Sequence, residues 1–291
     1  MKLTLDRDTR RRWKDVGMSF AALACVVIAL LPLGSILFEA VLQGVSAIRP
    51  SLFLTDSGAG GIGNAIQGTL ILIALSSAIA LPIGILAGIY VAEYGNNRVG
   101  RSLRFFTDVM TQIPSIVAGV FAFSIIYELG LAGIVSPRLV YSTLSGMIAL
   151  SVIMIPFVAR TTDEALRLVP RSTREAALAL GVPRYKVTLR VVLASSSSAV
   201  VTGILLAIAR AAGETAPLII ADPGNLFGFA GLDQPTESMT HTIFMFATAP
   251  QPALHQAAWG ATLILTGMML LISLSARFVF RRRFGSRGEG A

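Results

Sequence analysis

The sequence predicts an all-α integral membrane protein with six membrane-spanning helices. This prediction rests on the composition, the spacing of the apolar runs and the placement of the basic residues. Of the 291 residues, 54% are hydrophobic and 14% are charged, whereas a soluble domain carries about a quarter charged residues. The mean hydropathy of +0.72 points the same way. The single cysteine, Cys25, excludes an intrachain disulfide.

The apolar runs are each close to the roughly 20 residues that a helix needs to cross a bilayer. They lie at about 18–43, 64–92, 109–128, 141–160, 196–221 and 256–280. The runs are continuous rather than alternating, and lipid offers no partner to open backbone groups, so helices are favoured over strands. The first run is longer than the apolar region of a signal peptide, which favours a retained first span.

These runs give a basic N-terminus at 1–17, a transmembrane domain at 18–280 and a basic tail at 281–291. Of the 24 Lys and Arg residues, 21 lie at the two termini and in the connections after the second and fourth spans. The positive-inside rule therefore predicts cytoplasmic termini and a cytoplasmic loop at 161–195. The net charge of +8 is a topology signal, and no folded basic surface suggests nucleic acid as a partner.

Within that loop, residues 170–193 are predicted to form two short helices joined by a turn. Ser172 and Glu175 have the spacing of a capping box at a helix start. Gly181 is suited to the left-handed position that ends a helix, and Pro183 to the start of the next helix. This pattern alone is equally typical of an ordinary linker and of an element that docks onto another protein.

A charged pair is predicted inside the fifth span. Arg210 and Glu214 are four residues apart and so share one face of a helix. An arginine at the centre of a span costs about 2.5–3.5 kcal/mol, so it should face a partner or an aqueous cavity. Small residues at Gly203, Ala207 and Ala211 should let a neighbouring helix approach closely. A purely structural ion pair is the alternative.

Several motifs in the sequence resemble nucleotide or metal sites but lack the context that such sites require. Gly58, Gly60 and Gly63 spell G-x-G-x-x-G, but they precede a membrane helix rather than follow a strand. His241 and His255 lack the further ligands that a metal site requires. The chain has no Gly-Lys dipeptide and therefore no Walker A phosphate loop. We expect neither a catalytic site, nor a metal, nor a cofactor in this chain.

The run EAALALG, with Glu175, Ala176, Ala177 and Gly181, resembles the EAA loop of ABC-importer permeases. After the glycine and nine intervening residues the family has I-x-L-P, where this chain has Val191, Leu193 and Ala194. The resemblance implies that residues 170–193, which we call the EAA segment, dock onto a separate ATP-hydrolysing subunit. It also implies the six-helix architecture of a type I importer permease.

A second run, RAAGETAP from Arg210 to Pro217, resembles phosphate-transport permeases of the PstA type. The similar stretches cover most of residues 60–220. The resemblance implies a phosphate pathway at Arg210, Glu214 and Thr215 in the cytoplasmic membrane of a prokaryote. The partners it implies are a homologous second permease, a dimer of ATP-binding subunits that hold ATP and Mg²⁺, and an extracytoplasmic phosphate-binding protein.

The long connection at 222–255 is the candidate contact for that binding protein, and 236–249 is expected to be a short helix lying on the outer surface. Three alternatives stay open. One is an ABC permease for another oxyanion, such as phosphonate, sulfate or molybdate. Another is a stand-alone secondary transporter, which would need matched internal repeats that the sequence does not show. The third is an intramembrane enzyme, for which no nucleophile or metal set accompanies the charged pair.

Overall fold

The structure is a computed structural model that describes the backbone of residues 2–284 and the side chains of residues 13–274. Within this range the chain forms helices and no strands. The helices are α1 (Lys2–Ala47), α2 (Pro50–Leu54), α3 (Gly63–Tyr94), α4 (Arg98–Met110), α5 (Ser115–Leu131), α6 (Thr143–Arg167), α7 (Arg171–Ala179), α8 (Arg184–Lys186), α9 (Leu193–Ala212), α10 (Ala216–Ala221), α11 (Met239–Thr248) and α12 (Pro252–Phe284). Of the predicted tail, residues 285–291 lie outside the described range.

Five helical stretches of the described chain are long and apolar enough to cross a membrane. They are Trp13–Ala47, Gly63–Tyr94, Thr143–Arg167, Arg184–Ala212 and Pro252–Leu274. A sixth span results if α4 and α5, which are bent by 109° at their junction, count as one broken span. The predicted helical membrane architecture is confirmed, and its boundaries need three corrections.

The predicted span at 109–128 is not one helix. Residues 109 and 110 belong to the last turn of α4, and α5 begins only after Pro114. The residue before a proline is driven out of the helical region, which explains the break at this position. Helix α4 is instead amphipathic, and Asn97 caps it by accepting a hydrogen bond from the Gly100 amide at 2.7 Å.

The predicted span at 141–160 ends too early. Helix α6 continues to Arg167 because its polar last turns are supported by ion pairs between residues four apart. Arg160 Nε lies 3.1 Å from Glu164 Oε1, and Arg167 Nε lies 2.8 Å from Asp163 Oδ1. The corresponding loop, predicted at 161–195, is therefore mostly helical.

The predicted span at 196–221 is interrupted. Helix α9 ends at Ala212 with Gly213 as its C-terminal cap, and α10 starts at Ala216. At its other end, α9 is preceded by a π-helical stretch at Val187–Val192, which joins it to α8. Such stretches are rare and are frequent at functional sites.

Helices α3 and α6 form the centre of the bundle. They approach closely because Gly84 and Gly88 replace side chains where α6 crosses: a Cβ at Gly88 would lie 2.5 Å from the Ala159 carbonyl oxygen. Both helices run in the same direction. Each begins at the end that contacts residues 222–238, here called the loop segment, and finishes at the end that contacts the EAA segment. We refer to these as the loop end and the EAA end.

Helix α1 lies at the edge of the bundle and packs mainly on α12. None of its most apolar 18-residue window is buried within the chain. Large apolar side chains exposed along it include Phe20, Leu31 and Phe38. Such a surface requires lipid or another apolar helix against it.

Candidate functional site

The charged pair lies at the break between α9 and α10. Arg210 Nε is 3.7 Å from Glu214 Oε1, so the predicted ion pair is confirmed. The distance is longer than a hydrogen bond, and the Arg210 side chain is 44% exposed while Glu214 is 16% exposed. Glu214 therefore neutralises the arginine without saturating its donors.

The other side of Arg210 faces an apolar cavity. Its guanidinium carbon lies 5.4 Å from the centre of the Phe157 ring, within the range of a cation–π contact. The cavity measures about 340 Å³ and is lined by Pro114, Phe121 and Pro156 besides these two residues. A planar guanidinium with free donors in such a setting can bind an oxyanion through two parallel hydrogen bonds.

The small residues of α9 allow the close packing that the sequence predicts. A Cβ at Gly203 would lie 2.7 Å from Thr161 Oγ1 on α6. Ala207 and Ala211 are buried in one cluster with Met154 and Val158 of α6. The helix that carries Arg210 is thus held tightly against the centre of the bundle.

Thr215 immediately precedes α10, and its backbone carbonyl accepts hydrogen bonds from the amides of Leu218 and Ile219 at 3.1 Å. Its half-buried side chain makes no capping hydrogen bond within the described chain. Thr215 therefore lies beside the charged pair, and its role in a pathway stays a prediction.

In the EAA segment, the first short helix and the turn at Gly181 are confirmed, whereas the second short helix is wrong, because residues 184–212 form one continuous helical stretch. The predicted capping box is also wrong. Helix α7 begins at Arg171, so Ser172 lies inside the first turn, and the capping position is taken by Pro170 without a side-chain hydrogen bond among the described residues. Gly181 has a φ of +78°, as predicted. Its amide donates to the Leu178 carbonyl at 2.9 Å and the Val182 amide to the Ala177 carbonyl at 3.4 Å, which is a Schellman motif.

One face of the EAA segment is open. Glu175 and Ala176 are exposed, and Ala177 packs against buried residues of the bundle. Leu180 is 83% exposed and Tyr185 is 58% exposed on the same short segment. Large apolar side chains beside an acidic residue are typical of a surface that another protein covers.

Sequence reasoning missed what holds the EAA segment in place. Arg174 of α7 forms a largely buried ion pair with Glu93, near the end of α3, at 2.8 Å. Arg184 donates a hydrogen bond to the Glu93 carbonyl at 2.7 Å. We call these three residues the hub. They are up to 91 residues apart in sequence, so no local spacing could reveal them.

A second polar site that sequence reasoning missed lies at the loop end. Asp222 and Glu237 are 1% and 2% exposed. Glu237 Oε1 lies 2.8 Å from His241 Nδ1 and accepts a hydrogen bond from the Thr242 hydroxyl at 3.0 Å. We call Asp222, Glu237 and His241 the acid cluster.

The acid cluster is incompletely paired. Asp222 Oδ1 accepts a hydrogen bond from the Thr236 amide at 2.7 Å, but Asp222 Oδ2 and Glu237 Oε2 have no donor among the described residues. Burial raises the pKa of Asp222 to about 7, against the Thr236 hydrogen bond and with the nearby Glu237 charge. The hydrogen bond to Glu237 raises the pKa of His241. Protons are therefore held more tightly here than in water.

Helix α11 is present at Met239–Thr248, close to the predicted 236–249. One face of this helix, with Met239, Thr242 and Phe246, is buried and packs toward α12 and α3, whereas Phe244 and Met245 are exposed. The sequence of this short helix mixes polar and apolar residues, so its buried face could not be predicted from the apolar pattern. The most exposed large apolar side chain nearby is Phe227, at 83%.

No group of metal-ligating side chains is present in the part of the chain that the structure describes. His255 Nε2 lies 2.6 Å from the Ala249 carbonyl oxygen. Of the G-x-G-x-x-G glycines, Gly58 and Gly60 lie in the short 3₁₀ turn before α3, where Gly60 has a φ of +80°, and Gly63 is the first residue of α3. They form no βαβ unit, since the described residues contain no strand.

Comparison with known proteins gives the family. A family model described as "binding-protein-dependent transport system inner membrane component" matches residues 84–284. The phosphate transport system permease protein PstA of Yersinia pestis is 38% identical over 94% of this chain and 92% of its own length. PstA of Xylella fastidiosa (strain 9a5c) is 42% identical over 77% of this chain and 76% of its own.

The chain belongs to this family. Within it, the chain is a member of the PstA group of ABC importer permeases. A bacterial alginate ABC transporter has the same fold, with a TM-score of 0.68 at 16% identity over 96% of this chain and 97% of that one. An inward-facing MetNI methionine transporter gives 0.58 at 16% identity over 81% of this chain and 99% of that one. The predicted type I permease fold is confirmed.

Proposed function

We propose that this chain is the permease subunit of an ATP-driven importer that moves inorganic phosphate across the cytoplasmic membrane of a prokaryote. The observation that carries the proposal is an arginine with unsaturated donors, Arg210, facing an apolar cavity inside a chain of the PstA family. Phosphate is anionic near neutral pH and needs a compensating cation to pass through a medium of low dielectric.

Arg210 is the group that would contact phosphate. Its planar guanidinium can donate two parallel hydrogen bonds to two phosphate oxygens, and the 3.7 Å separation from Glu214 leaves donors free for them. When the path is empty, Glu214 keeps the partly buried arginine neutralised. Binding by this site is modest, because a conducting site must release its ion. High affinity then belongs to a separate phosphate-binding protein.

Two features support a separate ATP-hydrolysing dimer as partner. The described chain carries no phosphate loop, and the open face of the EAA segment offers Glu175 beside exposed Leu180 and Tyr185. ATP and Mg²⁺ would be held by that partner and supply the energy for switching between outward and inward access. In this arrangement the EAA end and both termini are cytoplasmic, in keeping with the placement of the basic residues.

The remaining partners cover the other open surfaces. A homologous second permease would close the cavity at Arg210, which is open on one side in this chain. The phosphate-binding protein would contact the loop end, where Phe227 is 83% exposed. Lipid would surround the apolar surface of α1.

The direct test is reconstitution of the complete complex in vesicles, with measurement of phosphate uptake with and without ATP. We expect uptake only when ATP, the ATPase and the binding protein are all present. Sulfate, molybdate and phosphonate in tenfold excess should not compete. Uptake by this chain without an ATPase, or effective competition by another oxyanion, would contradict the proposal and identify a stand-alone transporter or a different substrate.

A further inference from the structure

We propose that Glu93 is a positioning residue that transmits movement of the EAA segment into α3 and from there to the loop end. The inference rests on the proposed function, because it assigns a part in coupling ATP hydrolysis to transport. Glu93 lies in the next-to-last position of α3, a helix of 32 residues that spans about 48 Å. It is the point at which the EAA segment is fixed to that helix.

Arg174 makes the first connection. Its Nε and Nη2 donate to Glu93 Oε1 at 3.0 and 2.8 Å. Nη2 also donates to the Leu166 carbonyl at 2.8 Å, and Nη1 donates to the Val169 carbonyl. The two charged side chains are only 20% and 8% exposed. One guanidinium thus joins α7, the end of α6 and the end of α3.

Arg184 makes the second connection, on the far side of the Gly181 turn. Its Nη2 donates to the Glu93 carbonyl at 2.7 Å, and its guanidinium carbon lies 5.0 Å from the centre of the Tyr94 ring. The Tyr94 hydroxyl is 3.4 Å from the Thr188 hydroxyl in the π-helical stretch. Both halves of the EAA segment are therefore attached to Glu93, and the second half is attached to Tyr94 as well. The segment cannot shift as a unit without moving the end of α3.

At its other end, α3 contacts the loop segment and α11. Thr69 Oγ1 accepts a hydrogen bond from the Met239 amide at 2.8 Å, and a Cβ at Gly68 would lie 2.0 Å from the Glu237 carbonyl oxygen. The Thr240 hydroxyl then donates to the Glu214 carbonyl at 3.0 Å. A continuous series of contacts thus leads from Glu93 through α3 to Glu214, the partner of Arg210.

The experiment uses the complete complex with its ATPase and binding protein, and measures phosphate transported per ATP hydrolysed. Glu93→Gln keeps the side-chain volume and removes the charge that holds Arg174. We expect assembled complex and continued ATP hydrolysis, with at least about a tenfold lower ratio of phosphate to ATP. Glu164→Gln is the matched control: Glu164 is 62% exposed and its ion pair is with Arg160 on the same helix. Its ratio should equal that of the wild type.

A second variant tests the inference even if the Glu93→Gln complex does not assemble. Arg184→Gln removes one exposed guanidinium and should leave assembly intact, with a ratio lowered roughly two- to fivefold. A lower yield of complex with a wild-type ratio in both variants would show a merely structural pair and overturn the inference. If the wild-type complex itself transports no phosphate, the proposed function fails instead, so the two failures are distinguishable.

Discussion

The hub and the acid cluster both fix α3 to segments that are distant in sequence, and they do so with different chemistry. In the hub, Glu93 and Arg174 carry opposite charges, and every guanidinium nitrogen of Arg174 donates to an oxygen. In the acid cluster, only Glu237 pairs with the histidine, Asp222 accepts a bond from the Thr236 amide, and each carboxylate keeps an oxygen without a donor among the described residues. In the first arrangement the opposite charges compensate each other, whereas the second depends on bound protons.

This difference matches what the two ends are proposed to do. A connection that transmits force from an ATPase must hold in every state of the cycle, and satisfied charge pairs provide that. The loop segment lies near Arg210 and Glu214 and is the proposed contact of the phosphate-binding protein. Its local stability can vary without breaking the connection to the ATPase. The stability of the acid cluster therefore varies with pH, and the loop end should account for most of the pH dependence of the protein's stability.

The largest expected effect comes from Glu237→Ala. It leaves His241 and Thr242 without their acceptor in a buried site, which should lower the stability of the folded state by about 3 kcal/mol or more. The measurement is thermal unfolding of the purified protein in detergent. Glu93→Ala should lower the stability by roughly half as much, because Arg174 keeps its bonds to the Leu166 and Val169 carbonyls.

Asp233→Ala is the control for Glu237→Ala, since Asp233 is exposed on the same loop segment and should change stability by no more than about 0.5 kcal/mol. Equal losses for Asp233 and Glu237 would show that the loop segment, and not the acid cluster, limits stability. A larger loss at Glu93 than at Glu237 would reverse the comparison between the two ends.

The next effect is the pH dependence of the loop segment. The pKa of Asp222 is about 7 in the folded protein and 3.8 ordinarily, so the folded state binds more protons between these values and loses stability as pH rises from about 4 to 7. The raised pKa of His241 acts in the same direction, since its stabilising proton is lost on going to higher pH. Two charged side chains act on Asp222: Glu237 raises its pKa and His241 lowers it.

Hydrogen exchange of amides in residues 222–238 measures this directly. After correction for intrinsic exchange, opening should be several-fold more frequent at pH 8.5 than at pH 6. Asp222→Asn imitates the protonated carboxyl, so it should slow opening at pH 8.5 and flatten the dependence. Amides of α7 and α8, attached to the hub, serve as the internal reference and should show little change. A pH response that is as steep at the hub would contradict the assignment.

The smallest effect is expected for Arg184→Lys. Lysine keeps the positive charge near Tyr94 and loses the planar group that also reaches the Glu93 carbonyl. The stability should fall by at most about 1 kcal/mol, because Arg184 is exposed. A double-mutant cycle with Tyr94→Leu would give the strength of the ring contact alone, and a coupling of zero would assign Arg184's role to the hydrogen bond.

Features that depend on neighbouring residues were predictable from the sequence. The apolar runs predict the membrane helices, the four-residue spacing predicts the contact between Arg210 and Glu214, and Gly181 predicts the left-handed turn. The helix breaks at Pro114 and Gly213 occur at residues that commonly interrupt helices, but a search for apolar runs does not detect them. An apolar run reports the length of a hydrophobic stretch and not its continuity as a helix.

Features that arise from tertiary packing were not predictable. Glu93 and Arg174 are 81 positions apart, and Asp222 reaches the Thr236 amide, 14 positions away, only because the loop segment folds back on itself. The capping box at Ser172 and Glu175 failed for a local reason, since Arg171 already adopts the helical conformation after Pro170. A single sequence shows which residues are present, but it does not show which of them pair in the folded protein.

The measurement that tests the account most directly is phosphate uptake by Arg210 variants in the reconstituted complex. Arg210→Ala should lower uptake per assembled complex by about 10- to 100-fold, since a charge-assisted bond to phosphate contributes about 1.5–3 kcal/mol. Arg210→Lys should retain part of the uptake, because it keeps the charge and loses the fork. Arg138→Ala, at an exposed arginine in the turn before α6, is the control and should transport normally. Wild-type uptake by Arg210→Ala, in complexes that assemble and hydrolyse ATP, would contradict the account and leave Arg210 and Glu214 as a structural pair.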